Sequence, residues 1–377
     1  NSLMEANMKK RSLCVVVAIV LGILALGSVC FAAAATSLVP DWWVGSPAEF
    51  QKLVEGAEKE GEVILWDSSG ALFGKALLEA WPKQWKIKLN SIGVDHEQQV
   101  TRVLTEARGG LNTVDVINPS LVGVHLLYER GILARLVPEN VRVLRDVPKL
   151  VTKVNGVPVG WNPRYGVRVF TYNTEKVKDP PRDWPDLLDP KWKGRIAFDM
   201  DMRQVLPLAC SDGERVGWGY ERVRDFLRQL AKQKPQYHDQ GRVMATWVGS
   251  GKADILAGGA FSHALVLKKQ GAPVNAVLPR IIGKSENLMA VPEKAPHPNA
   301  ARLLMAWVLS PESLRSLWNV GYYGNIFIPP EYYGDPSFSF YYDLGKGKTV
   351  VDASVDCVQK AEKENWVGVF RKDIGFE

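Results

Sequence analysis

The sequence predicts an α/β chain divided between two sheets. Short apolar runs alternate with amphipathic helical stretches from residue 46 to 130 and again from 195 to 278. Such alternation builds a mostly parallel sheet covered by helices on both faces. Between the two series lies 172–196, YNTEKVKDPPRDWPDLLDPKWKGRI. Its apolar start ends a strand, Asp179-Pro180-Pro181 forces an extended turn, and Asp183-Trp184-Pro185 opens a short helix stopped by Pro190. Gly194 then releases the chain into a new strand, so the segment reads as a crossing between sheets. At 377 residues, 46% apolar and 23% charged, the chain can bury one large core or two; the doubled pattern selects two.

The elements follow in order. Lys9-Lys10-Arg11, an apolar run over 13–26 and Ala32 to Ala35 have the form of a secretory signal starting at Met8 and cleaved near Ala34 or Ala35. Residues 1–35 are therefore expected to be removed on export to the periplasm or cell surface. A retained anchor is the rival reading, because 12–35 is long enough to span a bilayer. Val29 precedes Cys30 where a lipidation signal wants a small residue, which disfavours a lipid anchor. Ser46-Pro47-Ala48-Glu49 is a capping box, and Phe50, Leu53, Val54 and Ala57 then share a helical face. Strands are expected at 62–67, 87–92 and 113–117, with helices at 72–81, 97–107 and 121–130.

Past the crossing, a strand at 195–198 leads to a helix at 220–232 with Val223, Phe226, Leu227 and Leu230 inward. A strand at 253–257, a helix at 262–269 and a strand at 274–278 complete this half. The chain is expected to cross back through 281–291, and helices at 298–309 and 311–319 to finish the first half. The expected lobes are thus 36–170 with 280–377, and 171–279. The tail from 331, helical around 358–370, is expected to pack on the outside of a lobe.

Charge and cysteine content narrow the classes. The formal net charge is +6, and about +4 once the leader is gone. No Lys/Arg run carries interleaved aromatics, so nucleic acid is not indicated. Cys210 and Cys357 remain after cleavage; they can pair in an oxidising compartment, but two cysteines so far apart define no framework.

Enzyme signatures fail on particular residues. His96-Glu97-Gln98-Gln99-Val100 has valine where a zinc-protease helix needs its second histidine, and it reads as a solvated helix start. Gly249-Ser250-Gly251-Lys252 lacks the leading glycine, which is Thr246, and the magnesium-holding hydroxyl, replaced by Ala253. Polar loops at strand ends fit binding better. Ser68, Ser69 and Gly70 follow the first strand, and Asn118, Pro119 and Ser120 the third, where helix N-termini offer N–H groups to an anion. The same residues also suit plain N-capping. Arg164, Tyr165 and Arg168 lie before the crossing and Arg203 follows the first strand of the second half; arginine there can clamp a carboxylate, phosphonate or phosphate. Trp247 on an amphipathic helix reads as core before cleft floor.

The order YNT, a Pro-Pro turn, then W-x-DLLDP-x-WKG-x-I is similar to extracytoplasmic solute-binding proteins of ABC importers, in particular the ferric-iron-type branch. The likeness extends more loosely from about residue 60 to about residue 329. It implies the two-lobed type II periplasmic-binding fold, hinge closure about two crossings, a membrane permease as partner, no cofactor and no catalysis. In that branch two adjacent tyrosines after the strand at 253–257 hold iron; here Ser262-His263 stands in their place. Tyr322-Tyr323, Tyr332-Tyr333 and Tyr341-Tyr342 fall after the return crossing, where packing is the expected role. A small anionic or polar organic solute is therefore expected, with a ferric receptor and, below it, a secreted hydrolase as alternatives. The expected contacts are Ser68, Ser69, Asn118, Ser120, Arg164, Tyr165, Arg203, Ser262 and His263, joined by Glu286 and Asn287 from the returning segment. The receptor is expected to act as a monomer.

Overall fold

The computed structural model describes residues 39–68, 71–200, 202–210, 218–286, 288–320, 324–334, 336–346, 349–351 and 355–376. The expected leader at 1–35 lies outside them. Trp42 and Trp43 lead in, buried against Phe50 with ring centroids 5.7 and 5.3 Å away. Phe50 belongs to α1 (Pro47–Glu60), whose capping box forms. Glu49 N donates to Ser46 Oγ at 3.2 Å and Ser46 N to the Glu49 carboxylate at 3.1 Å.

β1 (Glu62–Asp67), α2 (Ala71–Ala80), β2 (Lys88–Gly93), α3 (His96–Arg108), β3 (Val116–Ile117) and α4 (Leu121–Glu129) follow in alternation. β1 pairs in parallel with β2 on one side and β3 on the other. β3 is shorter than expected. Asp115, just before it, is a buried staple: its carboxylate accepts from Ile64 N at 2.7 Å and from His297 N and Nδ1 at 2.7 and 2.9 Å. After α5 (Arg142–Asp146), β4 (Val151–Val154) and β5 (Val157–Trp161) form an antiparallel hairpin. Its turn is Asn155-Gly156, both left-handed at φ 50° and 78°, as a tight hairpin of native twist requires.

The chain leaves the first sheet at 162–164 and enters the second as β6 (Tyr165–Asn173), buried at all but Arg168 and Tyr172. The expected crossing at 172–196 is therefore corrected. That segment joins β6 to β7 (Ile196–Asp199) within one sheet. The apolar run before it is a central strand, and Asn173 folds the chain back by donating to the Val248 carbonyl at 2.9 Å and accepting from Glu175 N at 3.0 Å. Trp184 plugs the second core, fully buried and edge-on to Phe170 at 5.0 Å and Phe226 at 6.1 Å.

α6 (Leu206–Ala209), α7 (Tyr220–Lys232), β8 (Gln236–His238), α8 (Gly241–Ser250), β9 (Ile255–Ala260), α9 (Phe261–Lys269), β10 (Val274–Val277) and β11 (Ile281–Glu286) complete the second lobe. Val223, Phe226, Leu227 and Leu230 of α7 are buried as expected. β7 runs parallel to β8 and β9, whereas β6 is antiparallel to β9, β10 and β11. After β11 the chain returns to the first sheet as β12 (Met289–Ala290), which lies between β3 and β5, antiparallel to both. α10 (Pro298–Trp307) and α11 (Pro311–Asn319) then pack on α1 and α2. Both sheets are thus parallel on one side and antiparallel where the crossing strands join.

The tail differs from its expected place. Phe338, just before α12 (Ser339–Gly345), is buried in the first core, but β13 (Thr349–Val351) pairs in parallel with β11. α13 (Val355–Lys363) and α14 (Trp366–Asp373) place Ala361, Trp366, Phe370 and Ile374 in the second core. Residues 281–286 and 349–376 therefore belong with the second lobe and not with the first. The reason is local complementarity: Tyr220 and α7 offer an aromatic groove to Trp366 and Phe370, and Cys357 bonds to Cys210. The first sheet runs β2-β1-β3-β12-β5-β4 and the second β13-β11-β6-β9-β7-β8.

Because Trp184 is closed in on every side, Trp184→Ala should cost about 3–5 kcal/mol. A urea melt should show a lower midpoint; an unchanged midpoint would mean the second core does not depend on this plug.

Candidate functional site

Strand direction places the site. β12 starts at the return crossing and is antiparallel to β3, so the carboxyl end of β3 points at the crossings. β6 starts at the outgoing crossing and is antiparallel to β9, so the carboxyl end of β9 points at the same place from the other lobe. Loops after the parallel strands of both lobes therefore flank the two crossings, where open α/β sheets take their ligands.

On the first lobe, Ser68 follows β1, His96 opens α3 after β2, and Asn118 follows β3. Ser68 N donates to Asn118 Oδ1 at 2.7 Å, and Ser68 Oγ lies 2.6 Å from the same oxygen. Gln99, fully buried, accepts from Asn118 N at 2.8 Å and donates to the Val94 carbonyl at 2.8 Å. His96 Nδ1 sits 2.8 Å from the Asn118 carbonyl, an acceptor, so it carries the proton and leaves Nε2 to face Ser68 Oγ at 3.2 Å. The hydroxyl has one proton, and its shorter contact is the amide oxygen. A serine nucleophile needs that proton on the imidazole line, so Ser68 is built here as a fixed hydrogen-bonding post.

On the second lobe, a bulge shapes the edge. Val169 pairs with Gly259 but Phe170 with Ala257, leaving Gly258 extra at φ 79°. A Cβ there would lie 2.7 Å from Gln204. Past the bulge, Ser262 and His263 occupy the first turn of α9, Ser262 buried and His263 half-buried. Gly241 begins α8 beside them; a Cβ on it would come within 3.3 Å of the Asp199 carboxylate and 3.4 Å of the His263 ring. Neither α8 nor α9 has a side-chain N-cap, whereas α3 is capped by Asp95 and α4 by Ser120. Burial first, then the charges of Arg242 and Arg168 and, least, Arg164, push the His263 imidazole down to about 4 against a backbone hydrogen bond at Gly241 that raises it. Its Nδ1 has no hydrogen-bond partner among the described residues. The edge is cationic: three guanidinium groups act on one neutral ring, with Asp199 the carboxylate beside it.

The expected residues thus divide. Ser68 and Asn118 meet, Ser262 and His263 are neighbours in the first turn of α9, and Arg164 reaches His263 only through its charge. Ser120 is tied to its helix, accepting from Gly123 N at 3.2 Å. Tyr165 is packed edge-on to Phe327 at 5.1 Å, and Glu286 lies opposite it on the β6–β11 ladder. Arg203 lies in the turn Met202–Gln204 after β7. Ser69 and Asn287 lie outside the described residues. Sequence reasoning treated His96 as solvated; the ring is instead half-buried and bonded at both nitrogens, and Gln99 and Arg242 also went unmarked. Their signal was position, each lying at or just inside a helix start after a parallel strand. Trp247 faces His238 and Lys252, which fits its packing role. Tyr333 is buried with its hydroxyl accepting from Asn325 N at 2.7 Å, and Tyr332 bonds Asp146. Among the described residues no three His, Cys, Asp or Glu side chains converge as a metal site, and no helix is long and apolar enough to cross a membrane.

Two lobes on two crossings, with polar loops facing each other, define the type II periplasmic-binding fold. Residues 76–338 match the family model for bacterial extracellular solute-binding protein, and the chain belongs to that family. Similar solved structures include iron-bound HitA from Pseudomonas aeruginosa (20% identity, 84% of this chain and 99% of that one, TM-score 0.63). The spermidine/putrescine ABC transporter substrate-binding protein PotD from Streptococcus pneumoniae (17%, 83% and 99%, TM-score 0.61) is also similar. So is AfuA from Actinobacillus pleuropneumoniae with fructose-6-phosphate bound (19%, 84% and 99%, TM-score 0.59). An uncharacterized protein of Haemophilus influenzae is 29% identical over 163 residues, 41% of this chain, and the match spans 46% of that relative's length.

Two outcomes follow from the two edges. Asn118→Leu strands Ser68 N and one N–H of the Gln99 carboxamide and should cost about 1–3 kcal/mol in a denaturant melt. For His263, the unfolded ring titrates at 6.5 and the folded ring at about 4. Between those values the unfolded chain holds the extra proton, so stability is full above 6.5 and falls as pH drops, by at most about 3 kcal/mol. His263→Gln should flatten that loss in melts from pH 7 to 4.

Proposed function

We propose that the protein is an exported solute receptor that captures a small anionic or polar organic solute between its lobes and delivers it to the permease of an ABC importer. The observation that carries this is the second-lobe edge, where half-buried His263 feels the charges of Arg242, Arg168 and Arg164 at two helix N-termini without side-chain caps. Guanidinium groups and free N–H donors suit a carboxylate, phosphonate or phosphate, and they oppose a polyamine or a bare ferric ion.

The first-lobe post then receives the solute's neutral end. Ser68 and His96 are hydrogen-bonding groups already held in register by Asn118, so they lose little freedom on binding. A solute touching both edges gains its full set of contacts only when the lobes close, which ties occupancy to the closed shape a permease would read. Export as a monomer with residues 1–35 removed completes the picture.

A thermal-shift screen of phosphonates, phosphates, sulfonates, carboxylates, amino acids, polyamines and ferric salts tests it. An anion at 100 times its Kd should stabilise the mature chain by about 2.7 kcal/mol. Arg168→Ala should weaken that anion about 10- to 100-fold, the usual loss for a charge-assisted pair. Stabilisation by polyamines or ferric ion alone would overturn the proposal.

A further inference from the structure

The family match ends at residue 338, yet the chain continues through α13 and α14. These two helices touch the parts of the second lobe that form its cationic edge. Arg371 Nε donates to the Met200 carbonyl at 3.1 Å, one residue past β7. Met200 N donates to the His238 carbonyl at 2.9 Å, and His238 Nδ1 accepts from Gln240 N at 2.9 Å, the N-cap of α8. An unbroken series of hydrogen bonds therefore runs from the tail to the start of α8, where Gly241 and Arg242 stand beside His263.

The tail is itself held firmly. Asp373, with a side chain 8% exposed, accepts from Arg224 at 2.9 Å and Arg228 at 3.0 Å on α7. Phe376 meets Tyr237 of β8 edge-on at 5.0 Å. The Cys210–Cys357 bridge joins α13 to the end of α6, which follows directly on the turn carrying Arg203. α13 also lies beside α4 of the first lobe, the helix capped by Ser120. One segment thus grips the backs of the loops after β7 and β8 and rests on the opposite lobe.

We propose that residues 355–376 are a disulfide-anchored brace that positions the second-lobe edge for solute, with Arg371 as its positioning residue and Cys210–Cys357 as its fastening. Loops at strand ends are where local opening is cheapest. Tying their backbone to a buried aromatic helix removes freedom that solute binding would otherwise have to remove. Reduction of the bridge should loosen the brace without unfolding the lobe, because Trp366, Phe370 and Asp373 still hold α14.

Hydrogen exchange on the full mature chain decides it, comparing oxidised protein, protein reduced with a phosphine, Arg371→Ala, Arg371→Lys and Cys357→Ser. In Arg371→Ala, amides at 199–204 and 236–242 should exchange about tenfold faster, the scale of one lost hydrogen bond, and in reduced protein and Cys357→Ser those at 202–210 should do so, while 62–67 and 116–118 stay unchanged. Arg371→Lys should restore most of the protection. A change confined to 355–376, or one spread evenly over both lobes, would overturn the brace. Titration with inorganic phosphate and methylphosphonate adds a second readout that rests on the proposed anion site: any affinity should fall about tenfold in Arg371→Ala with the disulfide intact. If neither probe binds the wild type, the anion proposal fails, while the exchange pattern still judges the brace.

Discussion

The ladder between β6 and β11 is the constraint on which the molecule depends. Val167 pairs with Lys284, Gly166 with Ser285 and Tyr165 with Glu286, so the outgoing and returning chains lie side by side where they pass between lobes. Both links are thus fastened to each other and form one shared junction between the lobes. Because β6 and β12 each start there and run antiparallel to a parallel strand of their own sheet, the carboxyl ends of β3 and β9 are turned inward. The position of every polar loop in the cleft follows from that reversal.

The two edges brought together are chemically unlike. Around Asn118 the first-lobe groups satisfy one another, with Gln99 buried behind them, and the edge is neutral and rigid. Across the gap, burial and the charges of Arg242, Arg168 and Arg164 push the His263 ring toward its neutral form. The two edges therefore differ in chemistry, one pre-bonded around Asn118 and the other set at helix N-termini without side-chain caps. The tail packs on α7 and on β8 of the second lobe.

Much of this was legible in the residues, and the errors have physical causes. The Ser46/Glu49 capping box and the inward face of α7 depend on neighbours within four residues, and both formed as read. The Asn155-Gly156 hairpin carried an equally local signal that was passed over. The crossing was misplaced because Pro180, Pro181 and Trp184 mark a break in regular structure, and a break does not say which sheet receives the chain. His96 looked solvated because its partners, Ser68 and the Asn118 carbonyl, are distant in sequence. Arg242 looked like any exposed arginine until Gly241 was placed against His263.

By itself the sequence determined most helices and strands of the two alternating series, the α/β class with two sheets, the mild charge, and the absence of the tyrosine pair at Ser262-His263. These are matters of periodicity, capping and residue type, which act over a few positions along the chain. Only the tertiary structure decided where the chain changes lobes, that α13 and α14 join the second lobe, that Cys210 meets Cys357, and that the start of α8 stands beside His263. Those outcomes depend on which surfaces bury each other across more than a hundred residues, and the free energy that selects them exists only once both partners are folded.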